Sequence, residues 1–359
     1  MSDTSWPHAI LHLDMDAFYV NVHILDHPED AGRPFAIGGQ PDQRGVVASA
    51  SYEARKMGVR SAMPMSRAVR LCPKLKIAPA NWQHIRSCSK QVMAVLQPYG
   101  SVEQMSVDEA YVDLSAWDNP EEKGAEIRTA VKKETSLPCS VGLASSKLVA
   151  KVASDHNKPE GFTVVPPGTE AAFLAPLSTR VIWGIGPKTA EKMANLKIQT
   201  CGQLALADLG LLQGALGGQA VSLKERAQGI DSRSVNSDRG MSKSISQEWT
   251  FNQDSNDPQQ LREKLKKMTE QVAQSLQKQQ LVAHTVTVKF RWADFTTFTR
   301  QRSVEVGIDD TATIHAIAES IWAEHWPDGQ KMRLLGVGVS KIKAPEVRQL
   351  GFNFLGLRR

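Results

Sequence analysis

The sequence predicts a multidomain protein of mixed α/β (α+β) character, and three observations carry that reading. Short apolar runs alternate with helical patterns up to about residue 170, short helices with Gly-containing turns follow to about 235, and beyond a polar tether the elements run βαββαβ. In the first part, strands are expected near 9–13, 34–37, 45–50, 75–78, 101–107, 110–114, 139–143 and 162–165. Helices are expected near 17–25, 63–71, 82–97, 121–135 and 146–155. Residues 236–247 are polar and lack an amphipathic pattern, which is how an inter-domain tether reads. A strand near 244–250, a long helix over 258–280, strands near 284–291 and 298–306, a helix over 311–325 and a strand near 333–341 complete the chain. That order is a split βαβ sandwich, with one sheet face under helices and the other open.

With 359 residues, 41% hydrophobic and 23% charged, the chain can bury several cores and is not a disordered polymer. The net charge of +5 is uneven: residues 241–359 hold 17 Lys and Arg against 13 Asp and Glu, and the first 240 residues hold 26 against 25. The last third is therefore the part expected to face a polyanion. Cys72, Cys88, Cys139 and Cys201 are far apart and form no CxxC pair, so neither a zinc knuckle nor a disulfide framework is expected, and a reducing cytoplasm fits. Met1 to His8 lack a basic region followed by an apolar core, and no apolar run is long enough to span a bilayer, so secretion and membrane insertion are not expected. A monomer is the default.

Two acidic clusters 94 residues apart, Asp14-Met15-Asp16 and Asp108-Glu109, each end an apolar, strand-like run. Ile10, Leu11 and Leu13 lead into the first; Val102, Met105 and Val107 lead into the second, before a return strand Ala110-Tyr111-Val112-Asp113-Leu114. Oxygen ligands without His or Cys favour Mg²⁺ over Zn²⁺. Carboxylates that bridge two such ions serve in-line displacement at phosphorus, that is, phosphoryl or nucleotidyl transfer. An isolated Asp-Glu pair on a hairpin is more often a solvated turn, and it is the recurrence of the pattern that favours the metal reading.

Phe18 and Tyr19 follow within one helical turn. They either pack the first helix or stand over a nucleotide sugar, where a ring would collide with a 2′-hydroxyl. Ser49, Tyr52, Arg55 and Lys56 lie at a strand-to-helix junction, where backbone N–H groups and a planar guanidinium suit a triphosphate; an ordinary helix with solvated cations is the alternative. Ser145 and Ser146 form a hydroxyl N-cap pair before Lys147 and Lys151, which share a face at i, i+4, and Lys158 stands before a Pro turn as a phosphate contact or a surface lysine. The run Val181 to Ala190, with Gly184, Ile185, Gly186 and Lys188, has the turn and helix start of a helix–hairpin–helix, which holds nucleic-acid phosphate without reading sequence. No Lys-Ser/Thr pair follows at Walker spacing. His23 and His27 lie at i, i+4 but have no third ligand nearby, so they read as surface or packing residues.

Together these motifs resemble the Y-family DNA polymerases, and within them the DNA polymerase IV (DinB) branch. The strings are LHLDMDAFYV at 11–20, SYEARKMGVRSAMP at 51–64, SVEQMSVDEAYVDLS at 101–115, KPEGF at 158–162 and VIWGIGPKTAEKM at 181–193. The resemblance implies a right hand: a ferredoxin-like palm (1–18 and 81–172), small fingers (19–80), a helical thumb with the helix–hairpin–helix (173–235), a linker (236–247), a βαββαβ little finger (248–345) and a tail (346–359). It implies that Asp14, Asp108 and the Met15 carbonyl hold metal, that Glu109 is the catalytic carboxylate at the primer-side metal, and that Tyr19 is the sugar gate beside Phe18. Ser49, Tyr52, Arg55 and Lys158 would hold the triphosphate. Gln349, Leu350, Phe352 and Phe354 resemble a sliding-clamp-binding peptide, a packed or frayed tail being the other reading.

Two positions depart from the family pattern: His23 stands where Glu is common, and Ser146 replaces the Asn usual before Lys147. The activity implied is template-directed DNA synthesis from dNTPs with two Mg²⁺ ions, Mn²⁺ able to substitute, low fidelity and translesion use. No N-terminal segment is long enough for a separate exonuclease, so proofreading is not expected. The rivals are another palm-type metal enzyme such as a nucleotide cyclase, which needs neither the helix–hairpin–helix nor the basic C-terminal domain, and a DNA-binding scaffold, disfavoured because all three acids are present.

Overall fold

The computed structural model describes residues 6–238 and 240–345. They divide into two compact units, the first running to residue 239 without residues 42–44 and the second comprising residues 42–44 and the chain from 240 onward.

The first unit starts with β1 (Ile10–Met15) and α1 (Phe18–Asp26), then β2 (Phe35–Gly38), β3 (Val47–Ala50), α2 (Tyr52–Lys56), α3 (Met65–Leu71) and β4 (Lys76–Ala78). It continues through α4 (Trp82–Leu96), β5 (Val102–Gln104), β6 (Glu109–Asp113), α5 (Pro120–Thr135), β7 (Cys139–Ala144), α6 (Lys147–His156) and β8 (Phe162–Val164). Strands order as β5-β6-β1-β7-β8, with β1 antiparallel to both neighbours. All six residues of β1 are buried because both faces of this sheet are covered. Leu11, Leu13 and Met15 join the core of α4 and α5, whereas Ile10 joins that of α6. The period of two puts His12 and Asp14 on the α6 face. Gly142 of β7 lets α6 press onto the sheet, since a Cβ there would collide with the Ala150 carbonyl and the Ser154 amide.

A three-stranded sheet, β3-β2-β4, carries α2 and α3 with a small core of Val47, Ala54, Met65 and Ala68. Five helices follow: α7 (Glu170–Leu174), α8 (Pro187–Asn195), α9 (Cys201–Leu206), α10 (Leu209–Leu216) and α11 (Ala220–Ala227). Their inward residues Leu174, Met193, Leu204, Leu212 and Leu223 share a core with α6. The second unit contains β9 (Ser244–Ser255), α12 (Pro258–Lys278), β10 (Ala283–Trp292), β11 (Thr297–Ile308), α13 (Thr311–His325) and β12 (Met332–Ser340). This is the βαββαβ order expected, folded as an antiparallel sheet β11-β10-β12-β9. Leu261, Leu265 and Val272 of α12, with Ile314 and Trp322 of α13, cover Val286, Val288 and Phe290.

Two boundaries differ from expectation. The strand expected over 101–107 stops at Gln104: Met105 and Ser106 both donate backbone N–H to the Glu109 carbonyl, so the chain turns instead of extending. The tether expected over 236–247 overlaps the strand expected near 244–250, and it is the strand that forms: it starts at Ser244, opposite Ser340, and runs on to Ser255 at the sheet edge. An edge strand exposed on both sides is as polar as a linker, so composition does not separate the two. Among the described residues no helix is long and apolar enough to cross a membrane.

Candidate active site

The pairing of β1 with β6 sets Asp14 directly opposite Glu109, and directly opposed residues project from the same face. Met15 N–H donates to the Asp108 carbonyl at 3.0 Å, so the acidic pair is tied to the end of β1 by backbone as well. Asp108-Glu109 lies at the start of β6, not at the end of β5 as the sequence had implied. Ser106 builds the turn: its Oγ accepts from the amides of Asp108 (3.1 Å) and Glu109 (3.0 Å) and its hydroxyl donates to the Asp108 carboxylate.

Asp14 is 7% exposed and meets Lys158 Nζ at 2.7 Å. Burial pushes its carboxyl upward against the pull of Lys158. Burial likewise opposes charge on Lys158, but Asp14 and Asp155 outweigh it and hold the ammonium above the usual lysine range. Glu109 meets Lys151 Nζ at 2.7 Å and lies 3.8 Å from His12 Nε2. His12 foremost, then Lys151 against the cost of burial, holds the Glu109 carboxyl below the usual carboxylate range. Burial pushes His12 the other way, toward its neutral form.

Asp16, grouped with Asp14 on sequence, has a different environment. It is 1% exposed, and its carboxylate accepts from Ser140 Oγ (2.9 and 3.0 Å), Tyr52 OH (3.0 Å) and Glu160 N–H (2.8 Å). A carboxylate so fully engaged ties β7, α2 and the turn before β8 together, and is not free to take a metal ion.

A cavity of about 140 Å³ gathers most of the remaining candidates. Asp14, Met15 and Asp108 line it from the sheet, Phe18 and Tyr19 from α1, Ser49 and Arg55 from β3 and α2, and Lys158 from just after α6. Ser61 also lines it; it falls within the 51–64 string, but nothing in the local pattern singles it out. Glu109 and Tyr52 lie outside the lining. Tyr52 instead carries the Arg55 guanidinium over its ring at 4.7 Å, and Arg55 Nε donates to the Ala50 carbonyl at 3.0 Å. Tyr19 packs edge-on against Trp82 at 5.4 Å, and burial, then Asp108, pushes its hydroxyl upward.

The acidic donors in this cavity are all oxygen, which fits a hard divalent cation. Among the described residues no three His, Cys, Asp or Glu side chains converge closely enough to enclose one ion; Asp14 and Glu109 each hold a lysine. His23 and His27 stack at 4.4 Å, and His23 pairs with Asp30, in keeping with a packing role.

The helix N-terminus expected at Ser145-Ser146 is capped otherwise. Ser146 makes no side-chain cap; Asp231, from after α11, accepts from Leu148 N–H at 3.0 Å and is itself held by Arg233. Lys147 is buried and bonded to both oxygens of Glu103 at 2.6–2.7 Å. Ahead of α8, Gly184 adopts φ 101°, a conformation that favours glycine, and Gly186 is the N-cap with Pro187 following. Ile185 is buried and Lys188 exposed in the first turn. This loop and α6 border a larger cavity of about 720 Å³. Gln349, Leu350, Phe352 and Phe354 lie outside the described residues.

Residues 13–155 match the impB/mucB/samB family, and residues 242–352 match the C-terminal domain of that family. A DNA polymerase IV of Dehalococcoides mccartyi is 39% identical over 343 residues, 94% of this chain and 88% of that one. A DNA polymerase IV of Methanoculleus marisnigri is 40% identical over 353 residues, 96% and 98% of the two chains. A solved Y-family DNA polymerase chimera shares the fold with a TM-score of 0.82 at 24% identity, over 93% of this chain and 99% of its own. The chain belongs to the Y-family DNA polymerases, and within them to the DNA polymerase IV branch.

Proposed function

We propose that this protein extends a primer on a DNA template, transferring a nucleotide from a dNTP to the 3′-hydroxyl with release of pyrophosphate, and that it does so across damaged bases with low fidelity and without proofreading. The observation that carries this reading is the meeting of remote acids: Asp14 opposite Glu109 in register, with Asp108 bonded to the next residue, beside one small cleft.

Asp14, Asp108, Glu109 and the Met15 carbonyl would hold two Mg²⁺ ions, with Mn²⁺ able to replace them. Bound there, such ions lower the pKa of an attacking hydroxyl and neutralise charge developing at phosphorus. The chain's own residues do the positioning. Lys158 and Arg55 offer cations to the triphosphate, with Ser49 beside them, and Tyr52 supports Arg55 by carrying its guanidinium. Tyr19, braced by Trp82 and in ring contact with Phe18, would be the group that meets a 2′-hydroxyl. Gly184, Ile185, Gly186 and Lys188 would hold backbone phosphate of the DNA through amides and one cation.

We read residues 1–18 and 81–172 as palm, 19–80 as fingers, 173–235 as thumb, 236–243 as linker and 244–345 as little finger. Residues 349–354 would bind a sliding clamp, the protein working as a monomer in the cytoplasm. Primer extension is the test of the centre: Asp108→Ala and Glu109→Ala proteins should fail to incorporate dNTP, and near-wild-type extension by either removes it. Product analysis without primer separates this activity from a cyclase. Deleting residues 349–359 should weaken clamp binding while leaving distributive synthesis intact, and equal clamp affinity would count against the motif.

A further inference from the structure

His12 is fully buried on β1, two residues before Asp14, facing Tyr111 on β6 and Gly142 on β7. Its Nδ1 lies 2.7 Å from Ser154 Oγ on α6, and its ring rests against Tyr111 at 4.7 Å. Nε2 has no hydrogen-bond partner. It points at Glu109, whose Oε2 is 3.8 Å away and whose Oε1 is already bonded to Lys151. An unpaired buried polar atom costs about 1–3 kcal/mol, so its retention calls for a partner in another state. A shift of about 1 Å by the Glu109 side chain would bring Oε2 into ordinary hydrogen-bond range.

Which proton Nε2 carries depends on Ser154. That hydroxyl has one hydrogen and two acceptors in reach, the Lys151 carbonyl at 2.8 Å and His12 Nδ1. If that hydrogen is donated to Nδ1, the neutral imidazole carries its own proton on Nε2, facing Glu109; if it is donated to the Lys151 carbonyl, the Ser154 oxygen accepts a hydrogen bond from Nδ1–H and Nε2 is left bare. Only with a proton on Nε2 can the ring donate to the carboxylate. Lys151 alone, a compact point charge on a flexible stem, leaves the glutamate free to rotate about that contact. A second donor from a rigid strand would not.

We propose that His12, with its tautomer set by Ser154, is a positioning residue whose Nε2–H holds Oε2 of Glu109 while Lys151 holds Oε1, fixing the direction of that carboxylate. The role rests on the reading of Glu109 as the catalytic carboxylate. Gly142 belongs to the device, because only a residue without Cβ lets α6 bring Ser154 and Lys151 to that face.

Single-nucleotide incorporation by the full-length protein, on primer-template with Mg²⁺ and varied dNTP, tests it together with the ¹⁵N signals of His12 in the metal-free protein. His12→Leu should lower kcat about 10- to 100-fold with little change in the dNTP KM, and Ser154→Ala should lower it in the same sense. His12→Gln should recover most of the loss, since its amide can donate to Glu109. The ¹⁵N signals should report a proton on Nε2 in the wild type and a changed pattern in Ser154→Ala. If His12→Leu does not fold, the Gln and Ala variants and the ¹⁵N signals decide the matter. Unchanged kcat in His12→Leu, equal losses in the Leu and Gln variants, or a bare Nε2 in the wild type would each overturn the proposal. Glu109→Ala is run in parallel: if it still incorporates, the reading of Glu109 fails and this role with it; if it is inactive while His12→Leu is not, only the positioning role falls.

Discussion

The five-stranded sheet of the first unit and the four-stranded sheet of the second are built from similar strands and expose opposite amounts of them. Every residue of β1 is buried, because α4 and α5 cover one face and α6 the other. On β10 burial alternates: Val286, Val288 and Phe290 point into the helices, while Thr287, Lys289 and Arg291 stay on the open face. A sheet covered twice has room for charge only near the strand ends, and that is where Asp14, Asp108 and Glu109 collect. A sheet covered once can offer polar groups along its whole length. The first geometry suits a centre that depends on a few atoms, and the second suits contact with an extended polyanion, each group adding a little.

The largest effect is expected at the strand end. Asp108→Ala or Glu109→Ala should reduce dNTP incorporation by about 10³-fold or more, measured by primer extension, with the folded state intact because both side chains are partly exposed. Retained activity would mean that the doubly covered sheet houses no catalytic centre. Next comes Tyr19→Ala, which should raise use of rNTP relative to dNTP by about 10- to 100-fold; unchanged sugar discrimination would refute the gate. On the open face, Lys289→Ala with Arg291→Ala should weaken primer-template binding a few-fold and reduce the salt slope by about 2, without altering nucleotide choice. If that pair abolished synthesis outright, the contrast between the sheets would fail. The smallest change is expected for Asp231→Ala, which removes the cap from α6 and should cost about 1 kcal/mol in denaturant unfolding.

Element positions were legible because they depend on periodicity within a short window, and α5, β7, α12 and α13 fall within a residue or two of their expected bounds. The turn at Met105–Asp108 was not, since its apolar residues continue the strand pattern and only the Ser106 hydroxyl, bonded to two amides, reveals the reversal. The cap of α6 was misread for a related reason. Ser145 and Ser146 have the right chemistry in the right place, yet a carboxylate more than 80 residues away performs the task. Asp16 carries the same local signal as Asp14, and it is their tertiary partners that distinguish them: the hydroxyls of Ser140 and Tyr52 and the Glu160 N–H for Asp16, Lys158 for Asp14.

What the sequence determined by itself is the inventory: which stretches pair as strands, which wind as helices, that acids follow two apolar runs, and that the last third is basic. These depend on side chains within a turn or a strand of one another. Tertiary structure alone decided which acids meet, which lysine each one holds, and that a buried histidine faces Glu109 from below. The physical reason is that β1 acquires its partners by hydrogen bonding to strands about 100 and 130 residues later, and it is the register of those ladders, not any local preference, that sets which side chains share a face.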